Sequence, residues 1–151
     1  MANSMPHKHI LVWIDGTDSG ERACKAAIEL ARTAGARLTG VSVVDTEVLQ
    51  TLLKRHLLVM DEMHEFEVDL AASAQKYLLN ARELAAKSGV KMETVLLKGA
   101  AHTAVLGEQV SRSADLIVMG TFHSADIRRD LKARGRQLVV DGAHCPIMLV
   151  R

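Results

Sequence analysis

The chain has 151 residues, and its 19 basic and 18 acidic side chains leave a formal net charge of +1. This length predicts one domain, at residues 1–151, and the balanced charge argues against nucleic acid or a membrane surface as a partner. Hydrophobic residues make up 48% of the chain but aromatic residues only 3%, which predicts an aliphatic core.

The first strand and the first helix have clear signals in the sequence. The apolar run HILVWID at 9–15 is typical of a strand that helices cover on both faces. In the segment after it, Asp18 and Glu21 have the spacing of a capping box, and Gly35 suits the end of a helix. Alanines on one stripe of that helix would let it lie close to a sheet.

A long helical stretch follows the second strand. The strand is predicted at 37–45, and apolar residues with a period of 3.6 continue between 47 and 88. This stretch forms either one helix or two helices with a break near Met60, and the pattern favours neither.

Strands and helices also alternate in the second half of the chain. Strands are predicted at 90–99, 115–120 and 145–150, and helices at 102–114 and 127–140. Strict alternation with apolar strands indicates an α/β fold, in which a parallel sheet has helices on both faces.

The topology also predicts where a ligand would bind. In parallel sheets of this kind, ligands bind outside the carboxyl ends of the strands, at the point where the strand order reverses. That rule places Asp15–Thr17, Val44–Asp45 and Gly120–Ser124 around one crevice.

Three segments, in order and at ordinary spacing, resemble the universal stress protein family. They are ILVWIDGTDSGERACKAAIELA, with its Asp-Gly-Thr turn and Ala-rich helix, DLIVMGT, and HCPIMLVR, with its Cys-Pro-hydrophobic strand. The resemblance spans nearly the whole chain. It implies a five-stranded parallel sheet of order 3-2-1-4-5, Rossmann-like and of the adenine nucleotide alpha hydrolase type. It also implies a small cytoplasmic homodimer, which in many members binds ATP.

The glycine motif that the resemblance implies is degenerate in this chain. Nucleotide-binding members have Gly, two residues, Gly, nine residues and Gly-Ser/Thr after the fourth strand. Aligned between Gly120 and Cys145, this chain keeps only Gly120 and has His123, Ala133 and Arg134 at the other positions. Histidine and alanine hinder positive φ and close approach of the backbone to an anion, so we expect the phosphate grip to be dismantled.

The adenosine side of the implied site is partly retained. Asp15 remains at the end of the first strand, and Val43 matches the implied contact on the second strand. Trp13, where many relatives have a small residue or proline, is large enough to fill the space of an adenine ring. The residues predicted to contact a nucleotide, if one binds, are Trp13, Asp15, Gly16, Thr17, Val43, Gly120, His123, Arg134 and Arg136.

A basic stretch, DIRRDLKARGR at 126–136, has two interpretations. One is a solvated helix face that Asp126 and Asp130 partly balance. The other is an anion site, since arginines bind phosphate through bidentate hydrogen bonds. The basic residues of the stretch are Arg128, Arg129, Lys132, Arg134 and Arg136.

Neither a metal site nor a catalytic site is predicted. Asp61, His64 and Glu65 could share a helix face, but they lack a recognised ligand spacing and we expect a solvated helix. No serine or cysteine has a visible base and orienting group, so no catalytic residue is assigned. Cys24 and Cys145 lack a CxxC spacing and no signal peptide is visible, which predicts reduced thiols in the cytoplasm.

We therefore expect a non-catalytic universal stress protein with a binding or regulatory role in the stress response, without tight ATP binding or another cofactor. The alternatives are an ATP-binding regulator in which arginines replace the glycine cradle, and a slow nucleotide hydrolase. A homodimer is expected through the last strand, because an open apolar edge is an aggregation liability. The predicted interface residues are Ile147, Met148, Leu149 and Val150.

Overall fold

In the described chain, one or two helices connect each strand to the next. The computed structural model describes residues 7–121 and 127–151, and at 127–132 the backbone only. The elements are β1 (His9–Trp13), α1 (Asp18–Ala34), β2 (Arg37–Asp45), α2 (Thr46–Lys54), α3 (Met60–Lys87), β3 (Met92–Gly99), α4 (Ala101–Ser111), β4 (Leu116–Gly120), α5 (Ile127–Gly142) and β5 (Ile147–Val150).

The five strands lie parallel in one sheet, in the order β3-β2-β1-β4-β5. This order confirms the predicted topology. The chain first builds outward from β1 to β3 and then crosses to the other side, so the strand order reverses between β1 and β4. Ligand crevices form at such a reversal, beside the carboxyl ends of the strands.

Consecutive residues of β1 point to opposite faces of the sheet and enter two separate cores. Ile10 and Val12 pack with residues of α1 and α3 on one face. Leu11 and Trp13 pack on the other face, in a cluster that includes Val139 of α5. The indole of Trp13 is therefore turned toward the face that α4 and α5 cover.

Helix α1 begins one residue earlier than a capping box at Asp18 would require. Thr17 is the N-cap, and its Oγ1 accepts a hydrogen bond from the backbone N–H of Gly20 at 3.0 Å. The predicted pairing of Asp18 with Glu21 is therefore wrong. The predicted end is confirmed, because Gly35 adopts the left-handed conformation with φ of 65°.

The stretch between β2 and β3 forms two helices, with a break at 55–59. His56 lies in this break and has a positive φ of 57°. Every buried residue of α3 belongs to its second half, from Ala74 onward. The second half of α3 therefore covers the sheet, whereas its first half is free to enclose a cavity with α2.

No helix in the described ranges is both long and apolar enough to cross a bilayer. The two cysteines are free thiols, with Cys24 buried in α1 and Cys145 half-buried before β5. Burial raises the pKa of Cys24 to about 11, so this thiol is protonated at neutral pH and unreactive as a nucleophile.

His9, at the amino end of β1, is buried with both ring nitrogens bonded. Nδ1 lies 3.1 Å from the carbonyl oxygen of Arg112, and Nε2 lies 2.8 Å from the hydroxyl of Thr39. Because a carbonyl only accepts, Nδ1 carries the proton and Nε2 accepts from Thr39. Burial lowers the pKa of His9, and the charges of Arg37 and Arg112 lower it further, whereas the Arg112 carbonyl and the carboxylate of Glu93 raise it.

This lowered pKa predicts a pH-dependent stability. The unfolded chain titrates near the ordinary histidine value of 6.5, and the native state takes up the proton only at lower pH. The free energy of unfolding should therefore decrease as pH falls from 6.5 through the native pKa. In urea unfolding at several pH values, His9→Gln should flatten this decrease. The same substitution at the exposed His64 should leave the wild-type slope unchanged, and an equal effect of both variants would contradict the assignment.

Candidate functional site

A cavity of about 310 Å³ opens beside the carboxyl ends of β1 and β2. The sheet forms its floor, and α2 with the first half of α3 encloses it. Its lining is mainly apolar, with a few polar groups from the strand ends and from α5. The lining residues are Trp13, Asp15, Ser42, Val43, Asp45, Val48, Leu49, Leu52, Phe66, Leu70, Ser73, Ala74, Tyr77, Ala101 and Arg136.

The side chain of Arg136 reaches from α5 into this cavity. It is 4% exposed and forms an ion pair with Asp15, through Nη2 and Oδ2. Its guanidinium lies over the ring of Trp13, 5.2 Å from the centroid. A cation in this position is attracted by the face of the indole, and the attraction is stronger where water is excluded. Arg136 therefore fills the part of the crevice next to Trp13 and Asp15.

Both carboxylate oxygens of Asp15 have partners. Oδ1 accepts hydrogen bonds from the backbone N–H and the hydroxyl of Thr17, at 3.1 and 2.6 Å. Oδ2 faces Arg136. Burial lowers the pKa of Arg136, but a guanidinium stays protonated in proteins, so this is an ion pair at neutral pH. Asp15 therefore holds the turn that follows β1 as well as the side chain of Arg136.

The two arginines at the centre of α5 have different environments. Arg134 is exposed, as predicted for a solvated helix face, and it lines a separate depression of about 110 Å³ with Arg55. Arg136 is buried, and for this residue the solvated-face interpretation is wrong. Residues two apart on a helix point in nearly opposite directions, which explains the difference. The side chains of Arg128, Arg129 and Lys132 lie outside the described residues.

Gly120, the retained glycine of the motif, has a structural role at the end of β4. A Cβ at this position would lie 2.6 Å from Ser19 Oγ and 2.7 Å from the backbone nitrogen of Gly20. Real Cβ atoms do not approach other atoms so closely, so only glycine lets β4 pack against the start of α1. Ser19 closes the contact by donating a hydrogen bond to the carbonyl of Thr121 at 2.8 Å.

The structure brings together only some of the residues that the sequence predicts for a nucleotide site. Trp13, Asp15, Val43 and Arg136 share the cavity. Gly16 and Thr17 line a neighbouring cavity of about 550 Å³ between α1 and α3. His123 lies outside the described residues.

The backbone conformation at residue 16 and the nearby ring of Tyr77 both favour glycine at this position. Its φ is +77°, and a Cβ there would collide with the Tyr77 ring. The turn after β1 therefore lies close to the Tyr77 ring of α3.

Asp45, at the end of β2, caps α2 and also lines the cavity. Its Oδ1 accepts hydrogen bonds from the backbone N–H groups of Glu47 and Val48, each at 3.1 Å. Burial raises the pKa of Asp45, and these hydrogen bonds oppose the rise. In the described part of the chain, no basic side chain forms an ion pair with it. Asp45 was predicted at the crevice, but the contribution of α2 and α3 to the cavity was not predicted.

Comparison with known proteins gives consistent results. The family model described as Universal stress protein family matches residues 6–151. A universal stress protein of Methanocaldococcus jannaschii is 29% identical over 146 residues, which cover 96% of this chain and 82% of that protein. The similarity therefore extends over nearly the whole of the chain.

Solved structures share the fold. Universal stress protein UspA from Lactobacillus plantarum superposes with a TM-score of 0.75 and 25% identity, covering 99% of this chain and 100% of that one. A universal stress protein from Archaeoglobus fulgidus, solved in complex with dAMP, gives a TM-score of 0.65 and 21% identity, covering 97% of this chain and 100% of that one.

The ion pair between Asp15 and the buried Arg136 can be tested by a double-mutant cycle. Asp15→Ala should lower the free energy of unfolding by about 3 to 5 kcal/mol, because it leaves the buried Arg136 without a counter-ion. The loss of a cap-like hydrogen bond alone would cost only about 1 to 2 kcal/mol. The double variant Asp15→Ala/Arg136→Ala should be more stable than the sum of the single losses implies, by at least about 1 kcal/mol. Chemical denaturation supplies the four free energies.

A matched cycle on the exposed pair Glu29 and Arg32 provides the control. That pair lies on the surface of α1, where water screens the charges, so its coupling should be close to zero. If the losses in the free energy of unfolding caused by Asp15→Ala and Arg136→Ala were simply additive, this would contradict an ion pair between the two residues.

Proposed function

Since the chain belongs to the universal stress protein family, we propose that it is a non-catalytic binding or regulatory protein of the stress response that does not bind ATP tightly. One observation carries this proposal: the guanidinium of Arg136 is buried against Trp13 and paired with Asp15. The guanidinium of Arg136 thus contacts Trp13 and Asp15, two residues that the family resemblance assigns to nucleotide binding.

Three physical reasons support weak nucleotide binding. A nucleotide that uses Asp15 must displace Arg136, which would leave a buried cation without its partner. The indole of Trp13 and the guanidinium above it fill space that a base would need. The glycine positions of the phosphate loop carry His123 and Ala133, which hinder the backbone conformations that surround an anion.

The non-catalytic role rests on the chemistry of the described side chains. Asp15 is neutralised by Arg136, so it is poorly suited to act as a base. The pKa of Cys24 is raised to about 11, which removes it as a nucleophile at neutral pH. The free thiols Cys24 and Cys145 also support a reducing, cytoplasmic location.

A second candidate is a nucleotide-binding regulator in which arginines replace the glycine cradle. The observation that favours it is the exposed Arg134, which lines the same depression as Arg55. Two guanidinium groups on one depression could bind phosphate bidentately, and the carboxylates of Asp45 and Glu47 that line the same depression would reduce the attraction. The universal stress protein from Archaeoglobus fulgidus that was solved in complex with dAMP supports this candidate.

The proposal includes a homodimer through β5. Among the described strands, β5 pairs with β4 alone, and its Met148 and Leu149 are 37% and 46% exposed. An open apolar edge favours pairing with another strand, and the same strand of a second copy would cover it about a two-fold axis.

The weak nucleotide binding predicts calorimetric results directly. The wild-type protein should bind ATP no better than roughly millimolar, about −4 kcal/mol. Arg136→Ser should raise the affinity by freeing Asp15. Adding His123→Gly, Ala133→Gly, Arg134→Ser and Trp13→Ala should raise it further by restoring the loop and the base pocket. Arg32→Ser, on the surface of α1, is the control and should change nothing. Micromolar binding by the wild type that Arg134→Ala weakens would favour the second candidate instead.

The dimer is tested by charge on its predicted edge. Met148→Asp should yield monomer or insoluble protein, because the carboxylate would be buried between two strands. The matched substitution Leu79→Asp, at an exposed leucine on α3, should leave the dimer intact. Light scattering coupled to size exclusion measures both, and a soluble Met148→Asp dimer would place the interface elsewhere.

A further inference from the structure

Three exposed apolar side chains lie close together in the chain where α2 ends and α3 begins. Leu57, Val59 and Met60 are 56%, 57% and 67% exposed, and Met60 is the most exposed large apolar side chain of the described residues. Single apolar residues are common on protein surfaces, whereas an exposed apolar patch often marks a site of association. This run and the charged residues on either side of it form the junction segment, residues 54–62.

Hydrogen bonds to α2 hold the backbone of the junction segment. The N–H of His56 donates to the carbonyl of Leu53 at 3.1 Å, and the N–H of Leu57 donates to the carbonyl of Leu52 at 2.9 Å. With His56 at a φ of 57°, these two bonds form a Schellman motif, which ends a helix in a defined geometry. The turn is therefore ordered before any partner binds, which lowers the entropy cost of an association.

The stability of the two helices does not explain the apolar run. Val59 is the N-cap of α3 and makes no side-chain cap hydrogen bond. Valine is a poor residue at this position, because Ser, Thr, Asp or Asn would accept a hydrogen bond from the first turn of the helix. Leu57 follows the left-handed residue of the Schellman motif, where an apolar side chain usually packs on the preceding helix, yet it is more than half exposed. These side chains therefore favour a contact outside the protomer.

Charged residues of opposite sign border the apolar run along the chain. Lys54 and Arg55 precede it, Asp61 and Glu62 follow it, and all four are exposed. None of the four forms an ion pair with another described residue. Each pair also suits the helix end on which it lies, so the charges alone do not indicate a partner. Next to an exposed apolar patch, however, they determine which partner fits.

The order basic, apolar, acidic is complementary to its own reverse. Two copies related by a two-fold axis present the same patch to each other in opposite directions. Lys54 and Arg55 of one copy would then lie beside Asp61 and Glu62 of the other, and the two apolar runs would cover each other. An unrelated partner would have to supply this reversed pattern, whereas a second copy of the chain already carries it.

We propose that the junction segment is a second two-fold interface, through which copies of this chain associate. β2, from which α2 begins, is separated from β5 by β1 and β4 in the sheet, so one chain can use both surfaces. Three apolar side chains from each copy form a small contact, and the association is therefore weak and depends on concentration. The inference rests on the proposed function only for the size of the assembly: the segment joins β5 dimers, or single chains if β5 forms no dimer.

Sedimentation equilibrium at several protein concentrations measures this association. The mass of the wild-type protein should rise above its low-concentration value between about 10 μM and about 1 mM. Met60→Ser should weaken the association at least about tenfold, because a large apolar side chain is no longer buried in each copy. Val110→Ser, at a valine on α4 that is 61% exposed, is the control and should change nothing. A constant wild-type mass, or equal association of the two variants, would overturn the proposal.

The N-cap of α3 separates the interface from the fold. Val59→Ser supplies the missing cap hydrogen bond, so the melting temperature at low protein concentration should rise. The same substitution should weaken the association several-fold, because it removes an apolar side chain from the contact. Association as strong as that of the wild type would contradict the role of Val59 in the interface.

Charge reversal tests whether the partner is a second copy. Lys54→Glu/Arg55→Glu makes both borders acidic and Asp61→Lys/Glu62→Lys makes both basic, so each variant alone should associate less than the wild type. An equimolar mixture should associate again, because unlike charges then meet at both contacts. Lys25→Glu, at an exposed lysine on α1, is the control and should change nothing. With both variants folded by thermal unfolding, a mixture that associates no better than its components would overturn the two-fold arrangement.

The variants at the two surfaces separate this inference from the β5 dimer. A wild-type dimer that Met148→Asp dissociates, and whose mass does not rise with concentration, would overturn the inference alone. A dimer that survives Met148→Asp but dissociates in Met60→Ser would contradict the β5 interface and support the junction segment.

Discussion

The ion pair between Asp15 and Arg136, placed over Trp13, determines the form of the crevice. It links the end of β1 to α5 across the point where the strand order reverses. Arg136 is buried and Asp15 is half-buried, so removing Asp15 would leave the guanidinium charge in surroundings that solvate it poorly. The cavity beside the pair is consequently small and mainly apolar, and its charge is nearly balanced. Each proposal about ligands follows from this one contact.

Most of the fold could be predicted from the sequence because its signals are local. Five apolar runs separated by helical periodicity require a parallel sheet, and the family resemblance supplied the strand order. The N-cap of the first helix was predicted at Asp18, one residue after the observed N-cap Thr17, because both residue types are good N-caps. The hydrogen bond between Thr17 and Asp15 decides between them. Local sequence patterns thus predict which helices and strands form, whereas tertiary contacts determine the residues at which they begin and end.

The candidate site could be predicted only in part. In the sequence, Arg134 and Arg136 belong to one basic run. Only the orientation of α5 in the fold shows that Arg134 is solvated, whereas Arg136 is buried against Trp13. The motif assigns Gly120 to phosphate binding. Its close packing against Ser19 and Gly20 is by itself sufficient to require a glycine at this position. The break between α2 and α3 contains no glycine or proline, so nothing local indicated the enclosed cavity.

The central claim is that Arg136 occupies the crevice in solution, and NMR of the arginine Nε–H groups tests it most directly. A buried guanidinium paired with Asp15 and lying over an indole should give a slowly exchanging Nε–H signal, shifted by the ring current of Trp13. We predict that this signal persists when millimolar ATP is added. A rapidly exchanging, unshifted Arg136 signal, or one that moves on addition of micromolar ATP, would contradict it.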